Sequence, residues 1–415
     1  MVRTSIAALV GSVAAVLAAN QPPAVPENAQ IGKLAFPVTC NLLGFLPQTF
    51  KTVFTATAPV FGGSGQQIYY TDVVGNIEIP SYIVNLAPLV GATQAQANVT
   101  VNLRLTNASP STLQIYKATI NNVRFPAGGA ANIRIPQGSG TLPNLGPVTL
   151  GAANVAHRIL LGQVTVFIAL QNDAGKTVFG PLAVTCGQQD VDFIIGSVNV
   201  DNSKGAALAP RNGFVADLPA TPNLFQSGAF RFPYSCDFGA VGKYPLDLEI
   251  VGTIPSYFKP GQQFNLANAQ SFLRIPTNLT TLAKNAFPQA TTFHTSVSEF
   301  EILFTGASPA NINVASTNTI VSDAAIPANG QQLIVTIPEN GSLTVGPVTA
   351  GSSGTTGISV GQAKASIDVR DASGATLLTL AATCNVPAPL ELIGVTISSK
   401  TPGNYSLGVN NTPSS

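Results

Sequence analysis

The 415-residue sequence contains no tryptophan, a single methionine and two histidines, and only 9% of its residues are charged. Ordinary domains carry roughly 25%. Without tryptophan the chain lacks the largest aromatic face on which a sugar ring can stack. Two histidines, His157 and His294, one in each half, leave little material for a His-dependent hydrolase or a metal centre. Lysine and arginine number 19 against 18 aspartates and glutamates, a net charge of +1 with no basic block. That balance argues against nucleic acid and anionic membrane surfaces as partners. Phosphate-cradling glycine motifs and Cys-x-x-Cys pairs are missing, and no acidic cluster is dense enough for calcium, so neither cofactor nor metal is expected.

What the chain does have is 45% hydrophobic residues, cut into short runs by 38 glycines and 31 prolines, the composition of many strands and turns. Met1-Val2-Arg3, an apolar run from Ile6 to Leu17, and then Ala18 and Ala19 read as a secretory signal peptide over 1–19. A membrane anchor is the competing reading. The run falls short of the roughly 20 residues that span a bilayer, however, and Asn20-Gln21-Pro22-Pro23 follows without stop-transfer charge. The stretch Asn410 to Ser415 lacks the hydrophobic tail of a lipid-anchor signal. The expectation is a secreted, extracellular or surface-associated chain with no membrane insertion after signal cleavage.

The two halves repeat. Phe36-Pro37-Val38-Thr39-Cys40 matches Phe232-Pro233-Tyr234-Ser235-Cys236, 196 positions on. The same offset carries Gly65-Gln66-Gln67 onto Gly261-Gln262-Gln263 and Ile79-Pro80 onto Ile275-Pro276. Thr106-Asn107-Ala108-Ser109-Pro110 meets Thr305-Gly306-Ala307-Ser308-Pro309 at 199, and Gly146-Pro147-Val148-Thr149 meets Gly346-Pro347-Val348-Thr349 at 200. Thr185-Cys186 meets Thr383-Cys384, and Ile195-Gly196 meets Ile393-Gly394, both at 198. So small a drift means loop insertions within one duplicated unit. Two domains are expected, over 31–200 and 228–399, with a linker over 201–227 and a flexible tail over 400–415.

Inside each unit the period is two. Val99, Val101, Leu103 and Leu105 alternate with polar residues, and Phe300, Ile302 and Phe304 take the matching positions. Val164, Val166, Ile168 and Leu170 alternate likewise, as do Ala363, Ala365, Ile367 and Val369. Half-buried antiparallel strands follow, and with them an all-β fold of two tandem β-sandwiches, immunoglobulin-like or related. No long segment shows helical periodicity. Asn107 and Gly306 both tolerate the left-handed backbone, so a tight turn is expected before each Ala-Ser-Pro.

Four cysteines permit three pairings, and the duplication favours Cys40 with Cys186 and Cys236 with Cys384, so that each copy closes itself in the same way. Sequons occur at Asn98, Asn107, Asn278, Asn340, Asn404 and Asn410, and in a secreted protein they can carry glycans. Asn98 is the least suited, since it opens a strand.

The search for reactive chemistry is mostly negative. Neither histidine has a counterpart in the other copy, and both read as ordinary surface or strand-end residues, His157 in a loop-like stretch and His294 at a strand start. Glu299 and Glu301 point from one face of a strand, about 7 Å apart, a spacing open to two cooperating carboxylates but better read as a solvated face. Asp173 and Asp371, near Gly175 and Gly374, fit hairpin turns. Tyr69, Tyr70 and Tyr257, with Phe258 and Tyr244 nearby, offer a small aromatic platform for a sugar, although aromatics on strands more often pack within the fold.

The Phe-Pro-x-[Thr/Ser]-Cys opening, the Gly-Gln-Gln turn, the Ile-Pro step and the closing Ala-x-Thr-Cys strand resemble a tandem, secreted, Cys-bracketed β-sandwich family of unknown function, mainly actinobacterial. The resemblance covers most of both copies and implies an extracellular sandwich without supplying an activity. Abundant Asn and Gln with few Arg depart from actinobacterial usage and are closer to a fungal extracellular protein. The chain therefore reads as a secreted non-enzymatic structural or surface-interaction protein of the cell wall or matrix. Its expected partners are wall or matrix components or copies of itself. A polysaccharide- or glycan-binding module is the alternative, and a hydrolase with an unrecognised site is the third reading.

Overall fold

A computed structural model describes residues 28–42, 46–186, 192–205, 225–327, 331–386 and 391–400. The signal-peptide segment, most of the linker, the tail and the sequons at Asn404 and Asn410 lie outside these residues. The first copy runs β1 (Ala29–Leu42), β2 (Leu46–Pro59), β3 (Phe61–Gly63), β4 (Gln67–Ile79), β5 (Gln94–Leu105), β6 (Ala108–Ser109), β7 (Thr112–Arg124), β8 (Ala131–Ile135), β9 (Leu145–Leu150), β10 (His157–Gln171), β11 (Thr177–Cys186) and β12 (Ile194–Asp201). The second runs β13 (Phe225–Asp237), β14 (Lys243–Pro255), β15 (Gln263–Ile275), β16 (Ala290–Thr305), β17 (Ala307–Ser308), β18 (Asn311–Asn313), β19 (Ile320–Ala325), β20 (Leu333–Ile337), β21 (Leu343–Ala350), β22 (Gly354–Asp371), β23 (Thr376–Asn385) and β24 (Glu391–Ile397).

The result is an all-β, largely antiparallel architecture of two linked regions. In the first the main pairing order is β8–β4–β2–β1–β11–β10–β5–β7. Its two ends meet, because the Asn121 N–H donates to Gln137 Oε1 at 3.1 Å and Gln137 Nε2 donates back to the Asn121 carbonyl. The second region repeats the order as β20–β15–β14–β13–β23–β22–β16–β19. The period-two positions face inward as the alternation requires: Val99, Val101, Leu103, Val164 and Val166 are buried in the first copy, and Ile302, Phe304, Ile367 and Val369 in the second. Cys40 stands opposite Cys186 across β1 and β11, Cys236 opposite Cys384 across β13 and β23, and the sulfurs are bonded in each pair. Crosslinks 146 and 148 residues apart in sequence restrict the unfolded chain by roughly 5 kcal/mol each in the chain-entropy account. Asn107 and Gly306 occupy the left-handed region, at φ 51° and 65°.

Helix is present in short pieces, although no long segment shows helical periodicity. After α1 (Ser81–Val84) in the first copy, the corresponding segment of the second forms α2 (Thr277–Ala286). Leu279 and Ala283, one turn apart, pack with Phe287 against the core, and Thr280 Oγ1 donates to the carbonyls of Thr277 and Gln331. Tertiary packing holds a helix that its Thr and Asn content alone favours only weakly.

The copies meet along β1 and β13, with Ile31 opposite Arg231, Lys33 opposite Ala229 and Ala35 opposite Ser227. Residues 31 and 35 correspond to 227 and 231, so the seam is a local two-fold centred on Lys33 and Ala229. Gly32 faces Phe230, and its counterpart Gly228 faces Leu34, the counterpart of Phe230. A Cβ on Gly228 would stand 2.7 Å from the Phe230 ring and 3.2 Å from Leu34, so glycine makes room for the large side chains at the crossing. A second contact joins β10 to β24: Arg158 Nε and Nη2 donate to Glu391 Oε1 and Oε2, each at 2.9 Å. Thr396 Oγ1 adds a bond to the Asp192 carbonyl at 2.7 Å. The ion pair is partly solvated, so a double-mutant cycle with Arg158→Met and Glu391→Gln is expected to give a coupling of about 1–2 kcal/mol in denaturant unfolding. A coupling near zero would mean that the pair adds nothing to the junction.

Candidate functional site

The copies differ most at the end where β4 leads into β5. In the first copy an apolar cavity of about 230 Å³ lies there, beneath α1 and the 3-10 turn Ala87–Val90. Ile79, Val84, Ala95, Val123, Ile168 and Leu182 line it with the Cys40–Cys186 disulfide, and no lining side chain carries a charge or an amide. The equivalent space in the second copy is about 60 Å³.

One substitution and one change of cover accompany the difference. Ala95 is paired with Leu170, whereas the matching residue, Phe293, is paired with Val369 and is buried. The segment over the cavity also differs. Between Pro80 and Thr93 the chain is two residues shorter than between Pro276 and Thr291, and Pro88, which lacks an N–H, prevents one continuous helix. The shorter cover leaves apolar groups in solvent: Leu86 is 57% exposed and Leu89 80%. Val90 and Phe179, which line the cavity as Leu86 does, are exposed as well, so the cavity wall reaches the surface.

The second difference concerns His157, which the structure places at the start of β10 with no solvent exposure rather than in a surface loop. Its Nδ1 donates to the Thr106 carbonyl at 2.6 Å, which leaves Nε2 to accept from the buried Tyr70 hydroxyl. Burial holds the imidazole below its usual pKa, partly offset by the Thr106 carbonyl, and raises that of the Tyr70 phenol. The matching positions in the second copy are Leu266 and Thr356, with Thr356 Oγ1 donating to the Gly306 carbonyl.

The other residues singled out in the sequence do not converge. Tyr69 is exposed, Tyr70 beside it points into the core, and Tyr257 is half-buried in the other copy, so the three form no common platform. Glu299 is bound to Lys364 at 2.8 Å, and Glu301 accepts from Asn311 Nδ2 and from the Gln362 N–H at 2.7 and 3.2 Å. His294 lies on β16, 2.8 Å from Asp323. Asp371 caps its hairpin: the Ser373 hydroxyl and the N–H groups of Ala375 and Ser373 donate to it and hold its carboxyl below the usual range. Asp173 accepts from Thr93 Oγ1. Among the sequons, Asn98, Asn278 and Asn340 are exposed. Asn107 instead spends its amide on the turn, with Nδ2 donating to the carbonyls of Ala152 and Val155 and Oδ1 accepting from the Ala152 N–H.

Among the described residues no group of three or more His, Cys, Asp or Glu could hold a metal ion, and no helix is long and apolar enough to cross a membrane. Sequence reasoning missed the cavity. Its one visible signal is the uncharged segment Ser81 to Val90 with Pro88 inside it, next to a strand that begins Gln-Ala-Gln-Ala.

Residues 233–393 match the model of a family of unknown function, DUF6801. The match spans most of the second copy and agrees with the resemblance read from the sequence. No curated protein matches the chain. Among solved structures, a membrane-anchored protein of Corynebacterium diphtheriae is 9% identical, covers 92% of this chain and 98% of its own, and has a TM-score of 0.23. The major pilin subunit of Bacillus cereus is 8% identical over 73% of this chain and 65% of its own, with a TM-score of 0.12. Likenesses at that level carry no argument about fold or function.

Proposed function

We propose that the chain is a secreted, non-enzymatic surface-interaction protein of the cell wall or extracellular matrix. Its domains over 31–200 and 228–399 act in this reading as disulfide-closed sandwiches of the immunoglobulin-like kind, each made by wrapping one sheet around a core. The observation that carries the reading is the engagement of the side chains best suited to chemistry. Glu299, Glu301, His157 and His294 each bond a neighbouring protein group, and the bond networks differ from one another in both geometry and place. The continuous β1–β13 seam supports a rigid tandem unit, suited to presenting β surfaces to wall or matrix components or to further copies of the chain. The exposed sequons at Asn278 and Asn340 supply glycan positions in the same reading, whereas Asn98 sits within β5 with its amide oxygen accepting from Thr119. Glycan recognition has less support, since Tyr69 alone of the three tyrosines is exposed.

The test is fractionation of the tagged full chain from a secreting host, followed by pull-down on insoluble wall material. The expected outcome is a processed chain that binds saturably, with affinity unchanged within twofold in Glu299→Gln and Glu301→Gln. Retention inside the cell, or a hydrolytic activity abolished by either change, would overturn it.

A further inference from the structure

We infer that the cavity of the first copy is a binding site for a single unbranched alkyl chain, the tail of a fatty acid or lipid, entering tail-first beneath α1. Its lining side chains, represented by Val84, Ala95, Ile168 and Leu182, offer neither donor nor acceptor. A polar group drawn inside would lose its water without replacement, which excludes a peptide with its N–H and C=O groups. At about 230 Å³ the space is larger than an apolar cavity of about 150 Å³ that stays dry and takes up benzene, and smaller than the roughly 300 Å³ at which drug-sized pockets begin. A thin flexible chain meets both limits. Leu86, Val90 and Phe179 both line the cavity and face solvent, which gives a continuous apolar path from surface to interior and leaves the polar head outside. The second copy provides the smaller comparison, because the buried Phe293 stands at the strand position of Ala95 and the corresponding space is about 60 Å³. The inference goes beyond the proposed surface role and does not depend on it.

The experiment titrates the full chain calorimetrically with octanoate, decanoate, dodecanoate and hexadecanoate, and separately floats it with phosphatidylcholine vesicles. One chain-length-dependent site is expected, with about fourfold tighter binding per methylene until the cavity is full, then a plateau. Ala95→Phe, which installs the residue of the second copy, should weaken binding at least tenfold while the thermal midpoint holds or rises. Because the protein has no tryptophan, Leu86→Trp places a sole indole at the mouth, where a chain inserted tail-first leaves its carboxylate end, and 2-bromododecanoate should quench it with the calorimetric midpoint. Binding without flotation assigns a free amphiphile, and flotation lost in Leu89→Asp assigns a bilayer lipid. Absence of saturable binding at every length, or affinity unchanged in a folded Ala95→Phe, overturns the inference. Should Ala95→Phe not fold, Ala95→Leu and the quenching of Leu86→Trp decide it.

Discussion

Replacing Asp247 by alanine is expected to destabilise the second copy by about 3–5 kcal/mol, the usual effect of breaking a buried ion pair from one side. Arg231 and Asp247 are only 1% and 7% exposed, on the face of β13 and β14 that points away from the Phe230 and Phe232 core. A second pair, Arg274 and Glu249 at 2.7 Å, lies beside them on β14 and β15, so two positive and two negative groups balance within one patch. Once Asp247 is gone, the buried Arg231 guanidinium loses the carboxylate bonded to its Nη2. For a unit of this size the loss lowers the thermal midpoint on the order of 10 °C. The double change Arg231→Met with Asp247→Leu removes both charges together and should recover most of the stability or exceed the parent, since the pair's desolvation disappears with it. Urea unfolding of the three proteins checks this. A single-change loss under about 1 kcal/mol would show that the patch is hydrated in solution.

Much of this architecture could be read in advance because duplication repeats its structural punctuation. The matched Ile-Pro steps end β4 and β15, the Gly-Pro steps lie within β9 and β21, the cysteines staple strands, and Asn107 and Gly306 show why two different residues serve one turn, both adopting positive φ. Period-two alternation located β5, β10, β16 and β22 because each has one face on a core. The helix α2 escaped because it is only ten residues long and rich in Thr and Asn, so the four-residue spacing of Leu279, Ala283 and Phe287 spans too short a run to stand out. His157 escaped because its partners Tyr70 and Thr106 are 87 and 51 residues away.

The cavity was hidden by register. A bulge between Val297 and Glu299 shifts β16 by one residue relative to β5, so Ala95 aligns with Phe293 at 198, whereas the Thr-x-Ala-Ser-Pro turn aligns at 199. Comparing the copies at one fixed offset sets Ala95 against His294, and the exchange of a small residue for a large one disappears. Only the pairings Ala95–Leu170 and Phe293–Val369 show the two to be equivalent. The differences that concern function therefore lie in volume and cover, which composition and motif spacing do not encode.

Acid should weaken the first copy before the second, with His157 as the cause. The folded state binds His157 neutral, its pKa lowered by burial, while the unfolded chain protonates near the ordinary value of about 6.5. Below that pH the unfolded state takes up a proton that the folded state refuses. The stabilisation is therefore complete above about pH 6.5 and is lost as pH falls toward the folded pKa, at up to about 1.4 kcal/mol per pH unit. His157→Ala removes this dependence but strands the Tyr70 hydroxyl and opens a void, at a cost of roughly 2–4 kcal/mol at pH 7.5. The pair Tyr70→Leu with His157→Thr copies Leu266 and Thr356, so it should regain most of that loss and leave the two copies with similar profiles between pH 6.5 and 5. Calorimetric scans across that range measure it directly. If the slope of the first transition survives in the pair-substituted protein, the acid sensitivity arises from carboxylates, and His157 serves only to fill space and hold Tyr70.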